Sequence, residues 1–268
     1  MRKKALFALL VSVAATGAVL LSTTGAANAA SSVHYVALGD SYSSGVGAGS
    51  YTSSSGSCDR STNAYSQLWA NAHAPAAYTS VACSGATTDT VISSQLSALS
   101  SSTTLVSITI GGNDVGFSNI METCVLGSTS SCVSAVNSAE SYAQNTLPGK
   151  LNTLFNDIHA DAPNARVVVL DYPVFYQLGT LCIGLSTTDH QKIDEGIGIL
   201  DGIESSAAAA HGFAFADVRS AFAAGHQLCG SGTDWLHSLN ILDITESYHP
   251  TAAGQSGGYL PAFTSAAG

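Results

Sequence analysis

Five short runs of apolar or β-branched residues punctuate the chain, at 35–38, 78–82, 104–110, 166–170 and 213–218. They do not alternate with polar positions, which is the pattern of strands covered on both faces. Longer stretches between them predict helices over 63–73, 88–99, 132–159 and 188–211. Leu147-Pro148-Gly149 should kink or split the third, because proline lacks the amide a helix interior needs. Asp189 lies near the positive start of the fourth and Gly212 suits its end. Strand and helix alternating in this way predict an α/β fold with three α/β/α layers around a mostly parallel five-stranded sheet. No internal repeat or long linker breaks the pattern, so residues 30–268 are expected to form a single domain. The longer connections, at 43–62, 117–131, 173–187 and 219–248, all follow predicted strand ends. They should gather on the side of the sheet where open α/β folds place their ligands.

The N-terminus departs from this pattern. Arg2, Lys3 and Lys4 precede an apolar run from Ala5 to Leu21, and Ala27-Asn28-Ala29 offers small residues for cleavage. That is the layout of a signal peptide over residues 1–29, and it predicts a secreted, extracellular protein without stable membrane insertion. The leader carries three of the eight basic residues and no acidic one, so the rest is more acidic than the full chain's −10. Five scattered cations give no electrostatic footprint for nucleic acid, and anionic membrane surfaces should repel the protein. Six cysteines, Cys58, Cys83, Cys124, Cys132, Cys182 and Cys229, suit an oxidising compartment. No C-x-x-C pair is present, so no metal site is expected. Pairing in order, Cys58–Cys83, Cys124–Cys132 and Cys182–Cys229, closes the shortest loops and is the expected connectivity.

Four segments carry candidate chemistry. The first run ends at Gly39-Asp40-Ser41, the second at Ala82-Cys83-Ser84-Gly85, and the third at Gly111-Gly112-Asn113-Asp114. The fourth, Glu246-Ser247-Tyr248-His249-Pro250, precedes a predicted final helix. Each has a bland reading, as a turn or a helix cap. Together, in this order and each at its element's end, they resemble the GDSL esterases and lipases, also called SGNH hydrolases. Within that family the chain is similar to the streptomycete-type extracellular lipases, including the stretch from Tyr35 to Tyr51 and the tail from Ser247 to Pro261.

The resemblance implies the SGNH hydrolase fold, a flavodoxin-like arrangement, and ester hydrolysis through an acyl-enzyme. It makes Ser41 the nucleophile and His249 its general base. It assigns the oxyanion hole to the N–H of Ser41, the N–H of Gly85 and the side-chain amide of Asn113. The group that orients His249 is either the Glu246 carboxylate or the backbone carbonyl of Ser247, the carbonyl being slightly favoured. Asp40 and Asp114 read as capping or turn residues. His226 and His237 are the rivals of His249; the remaining histidines read as surface or terminal positions. No H-E-x-x-H occurs, and neither metal nor organic cofactor is implied. Apolar residues in 173–185, and Phe117, Ile120, Met121, Val125 and Leu126, would line an acyl groove or fill loop core. The expected substrate is a lipid or fatty-acid ester acted on by a monomer. Acetylated carbohydrate or phospholipid is the enzymatic alternative, and a secreted binding module without turnover is the other. Unperturbed histidine chemistry predicts activity falling in acid with an apparent pKa near ~6–7.

Overall fold

The computed structural model describes residues 32–240 and 243–268, so the expected leader lies outside the described residues. Five strands form the sheet: β1 (His34–Gly39), β2 (Ala77–Ser80), β3 (Leu105–Thr109), β4 (Arg166–Leu170) and β5 (Ala214–Ala216). Their order is β2-β1-β3-β4-β5, and all four pairings are parallel. This is the doubly wound order with its switch point between β1 and β3. The central strands are apolar on both sides because helices cover both faces. β2 departs from the expectation: at the sheet edge its residues alternate between exposed and half-buried.

The helices are α1 (Ser41–Ser44), α2 (Tyr65–His73), α3 (Thr88–Ser94), α4 (Phe117–Leu126), α5 (Thr129–Asn145), α6 (Leu147–Asp161), α7 (Thr187–Ala210), α8 (Arg219–Ala223), α9 (Ala252–Gly254) and α10 (Leu260–Ala267). A π-helical turn over Gln255–Tyr259 joins α9 to α10. α2 and α10 pack together on one face of the sheet, while α3, α6 and α7 cover the other. The first face is aromatic: Tyr35 stacks on Phe263 and meets Trp69 edge-on. Residues 117–126, expected in a loop, are helical. The predicted third helix is two, divided at Thr146, with Pro148 in the first turn of α6. Proline is tolerated there because first-turn amides have no helical acceptor. Ser186 caps α7 and Asp189 completes a capping box with it.

Cys58–Cys83, Cys124–Cys132 and Cys182–Cys229 are disulfide-bonded. The inner face of α7 carries buried acids that satisfy the irregular chain after β4. Asp194 accepts from the Phe175 and Tyr176 amides at 3.1 and 3.2 Å, and Asp201 from Tyr172 at 3.2 Å. Burial pushes the Asp194 carboxyl up to about 7. It raises Glu204 well above the carboxylate range too, and that side chain is fully buried without a hydrogen-bond partner.

Candidate active site

β1 can turn directly into α1 because it ends on glycine. Gly39 has φ 118°, and a Cβ there would collide with the Thr109 carbonyl of β3. The Gln95 side chain stands in for a strand neighbour, accepting from Gly39 N–H at 2.8 Å and donating to its carbonyl at 2.9 Å. Asp40 then caps α1 by accepting from Tyr42 N–H at 3.0 Å, so Ser41 opens the helix and is only 7% exposed.

His249 arrives from the far end of the chain. Its Nε2 lies 2.7 Å from Ser41 Oγ and its Nδ1 3.1 Å from the Ser247 carbonyl. A carbonyl can only accept, so these partners assign the proton to Nδ1 and leave Nε2 to accept from the serine hydroxyl. The loop holding the imidazole is tied by backbone bonds: His237 N–H donates to the His249 carbonyl and Tyr248 N–H to the His237 carbonyl, each at 2.9 Å. The Tyr42 hydroxyl, one residue past the serine, donates to the Tyr248 carbonyl at 2.7 Å.

The Glu246 carboxylate accepts from the Tyr51 hydroxyl at 2.6 Å and is not bonded to His249. Of the two proposed orienting groups, the structure brings only the Ser247 carbonyl to the imidazole. His249 keeps one edge open to the cleft, yet the groups packed round it exclude enough water to push its pKa down to about 4, with the Ser247 carbonyl pulling the other way. An unperturbed imidazole would place the acid limb near ~6–7; this desolvation shifts the expected limb downward.

Gly85 and Asn113 line the same cleft as Ser41 and His249. Gly85 has φ 77°, in the left-handed region that favours glycine. Among the described residues, neither its N–H nor that of Ser41 has a hydrogen-bond partner. The Asn113 amide gives one hydrogen to the Ala86 carbonyl at 2.9 Å, which fixes its orientation and leaves the other.

The remaining candidates have structural partners. Asp114 accepts from the backbone and hydroxyl of Thr88 at 2.9 and 2.7 Å. His226 stacks on Trp235, and His237 contacts the Gly47 carbonyl at 2.7 Å. His190 is buried against Tyr176, whereas a surface or terminal position was expected. Gly254-Gln255-Ser256-Gly257-Gly258 spells the G-x-S-x-G of nucleophile elbows. It lies on the C-terminal helix rather than after a strand, and the exposed Ser256 donates to the Ala253 carbonyl.

One residue at the site carried no motif. The Tyr172 hydroxyl, just past β4, donates to Asp40 and accepts from Gly112 N–H at 3.1 Å. It thus touches the residues immediately before Ser41 and before Asn113. Its only sequence signal was a polar aromatic at the carboxyl end of a predicted strand. Burial raises the Asp40 carboxyl to about 6, with the Tyr172, Thr109 and backbone donors opposing.

The cleft encloses about 570 Å³, and Phe117, Met121, Val125, Leu126, Leu239 and Ile244 supply its apolar wall. Among the described residues, no group of three or more His, Cys, Asp or Glu side chains is arranged to hold a metal ion. The arrangement can polarise a serine hydroxyl and present neutral donors to an oxyanion beside an apolar groove.

Comparison with known proteins follows the same lines. Residues 37–256 match the model of the GDSL-like lipase/acylhydrolase family. The chain is 58% identical over 257 residues, 95% of each sequence, to Lipase 1 of Streptomyces coelicolor. Its fold matches the crystal structure of phospholipase A1 from Streptomyces albidoflavus with a TM-score of 0.85 at 52% identity, covering 88% of this chain and 99% of that one. The extracellular lipase from Streptomyces rimosus matches with a TM-score of 0.85 at 51% identity, over 87% and 99% of the two chains. The chain belongs to the GDSL-like lipase/acylhydrolase family.

Proposed function

We propose that this carboxylic ester hydrolase cleaves fatty-acyl esters of lipids by a Ser41–His249 dyad, after export and removal of residues 1–29. The observation that carries the reading is the 2.7 Å contact between His249 Nε2 and Ser41 Oγ, groups that start 208 residues apart in sequence. As Ser41 Oγ attacks the ester carbonyl carbon, its proton passes to Nε2. The resulting imidazolium keeps its Nδ1–H on the Ser247 carbonyl. The oxyanion takes hydrogen bonds from Ser41 N–H, Gly85 N–H and the Asn113 amide. The imidazolium then protonates the departing alcohol. Water, deprotonated by the same nitrogen, releases the fatty acid and restores Ser41.

The apolar wall of the cleft supports a fatty-acyl group over acetyl esters of carbohydrate. Phe117 and Met121 also border a second apolar space of about 70 Å³ between α4, α5 and α7, which favours chains longer than acetyl. A phospholipid is the second reading, supported by the 52% identity to a protein named phospholipase A1. All three disulfides, and the absence of any membrane-spanning helix among the described residues, are consistent with a secreted protein. A monomeric single domain over 30–268 is part of the proposal.

The test is an ester profile on wild type and Ser41→Ala. We expect medium- and long-chain p-nitrophenyl esters to be preferred over acetate, with Ser41→Ala inactive on all. A preference for acetate would overturn the lipid reading, and undiminished turnover by Ser41→Ala would overturn the mechanism.

A further inference from the structure

Polar residues dominate the surface of this chain, so two of its outward-facing side chains stand out. Leu181 is 92% exposed and Ile183 94% exposed, on either side of Cys182. Cys182 is bonded to Cys229, and the Thr180 hydroxyl donates to the Cys229 carbonyl at 3.1 Å, so the tip that presents them is braced from below. A single exposed aliphatic side chain is ordinary, but several gathered round one opening mark an interaction surface.

Two more exposed apolar residues, Leu126 and Ile244, are 77% and 66% exposed and line the mouth of the cleft that holds Ser41 and His249. One contact ties the segment that carries the tip to the segment that carries Leu126. Ser186, three residues past Ile183, is hydrogen-bonded at 3.1 Å to Thr129, three residues past Leu126. All these residues belong to connections that follow β3, β4 and β5, at the end of the sheet where the cleft opens.

We propose that Leu126, Leu181, Ile183 and Ile244 form a docking face that seats the open cleft on an uncharged or zwitterionic lipid surface. The inference rests on the fatty-acyl ester reading, and it adds that substrate passes from an aggregate into the cleft without first crossing water. The charges on the page select the kind of surface. Among the described residues the cleft lining includes Glu122 and no lysine or arginine, and Asp243 and Glu246 lie within two residues of Ile244 in sequence. The cations outside the leader are engaged elsewhere. Lys150, Lys192 and Arg219 pair with carboxylates, and Arg60 and Arg166 donate to the Ala82 and Ala266 carbonyls. Anionic lipid would be repelled by this face. Attraction must come from apolar side chains entering the interface, as in other peripheral proteins that lie on membranes.

The test uses Ser41→Ala protein, which would leave vesicles intact, with and without Leu181→Ser plus Ile183→Ser. Binding is measured by co-sedimentation with phosphatidylcholine vesicles and with vesicles containing phosphatidylglycerol. In parallel, the Leu181→Ser, Ile183→Ser pair on the otherwise wild-type enzyme is assayed with a monomeric short-chain p-nitrophenyl ester. We expect binding to phosphatidylcholine to weaken about a hundredfold in the pair, the scale of removing two buried aliphatic side chains. Soluble-ester turnover should stay within about twofold, because neither residue touches Ser41 or His249.

Equal vesicle binding with and without the two changes would overturn the proposal, as would stronger binding to the anionic vesicles at low salt. Loss of soluble-ester turnover in the pair would assign the tip to folding and overturn it. A concentration-dependent dimer abolished by the pair would assign the face to a second copy of the chain, with the same consequence. If the wild-type enzyme fails to turn over the soluble ester, it is the hydrolase reading that fails, so the two failures are distinguishable.

Discussion

The two halves of the dyad are held in different ways. Ser41 sits where sheet and helix meet, and side chains from distant segments fix the turn before it. Gln95 clips Gly39, while Thr109 and Tyr172 both donate to Asp40. His249 rides on a loop of the long connection after β5 and is held mostly by main chain: the exchange with His237, the Ser247 carbonyl on its own ring, and the Tyr42 hydroxyl on Tyr248. The nucleophile's position is therefore determined by core side chains, and the base's by local backbone geometry plus one tyrosine. Damage on the serine side should reach both nucleophile and oxyanion donors, whereas charge changes on the histidine side should matter little.

The largest effect short of removing the dyad is expected at the amide donor. Asn113→Ala should lower kcat by about 10²–10³-fold with little change in KM, because the donor serves the oxyanion more than the bound ester. Steady-state kinetics on a soluble ester measure it. Next, Tyr172→Phe keeps the ring edge-on to Tyr42 but removes the hydroxyl that joins Asp40 to Gly112. We expect kcat to fall roughly ten- to hundredfold while KM holds, since misplacing reacting groups by a fraction of an ångström is costly. A kcat within threefold of wild type would mean the sheet alone sets the turn. On the histidine side, Glu246→Gln should cost less than about tenfold, because its partner is Tyr51. A loss beyond about a hundredfold would show that the carboxylate orients the base after all.

Acid separates activity from stability. With His249 lowered to about 4, kcat/KM should hold from neutral pH down to about 5 and be half lost near 4. A midpoint near 6.5 would mean the imidazole is freely hydrated in the working enzyme. Stability carries opposing contributions. A depressed histidine contributes above its unfolded pKa and loses that contribution as pH falls from about 6.5 towards 4. Buried carboxyls act in the other direction: Asp40, raised to about 6, and Asp171 and Asp194, raised to about 7, contribute below their unfolded pKa and lose it as pH rises through those values. Several acids outweigh one histidine, so Tm should be higher at pH 5 than at pH 8, by a few degrees. A Tm that rises between those pH values would reverse the balance.

Much of this arrangement was legible from residues. Continuous apolar runs found the central strands because those strands really are covered on both faces. The same pattern misjudged β2, whose Ala77 and Thr79 are exposed at the sheet edge while Tyr78 packs against the core. Residues 117–126 looked like loop because glycines precede them, yet a Phe-to-Leu stretch long enough for helix follows Gly116. The downward shift at His249 was not legible, because packing, which composition does not encode, decides how much water reaches the imidazole. Tyr172 and Gln95 escaped notice for a related reason: each acts across more than 50 residues on a motif while belonging to none.

The central claim is that the imidazole of His249 activates Ser41 directly. The most direct measurement is the rate and site of reaction with a serine-directed phosphonate, in folded wild type and in His249→Ala. The account predicts a single adduct on Ser41, forming at least about 10³-fold more slowly without the imidazole. An adduct on another residue, or equal rates in the two proteins, would contradict it.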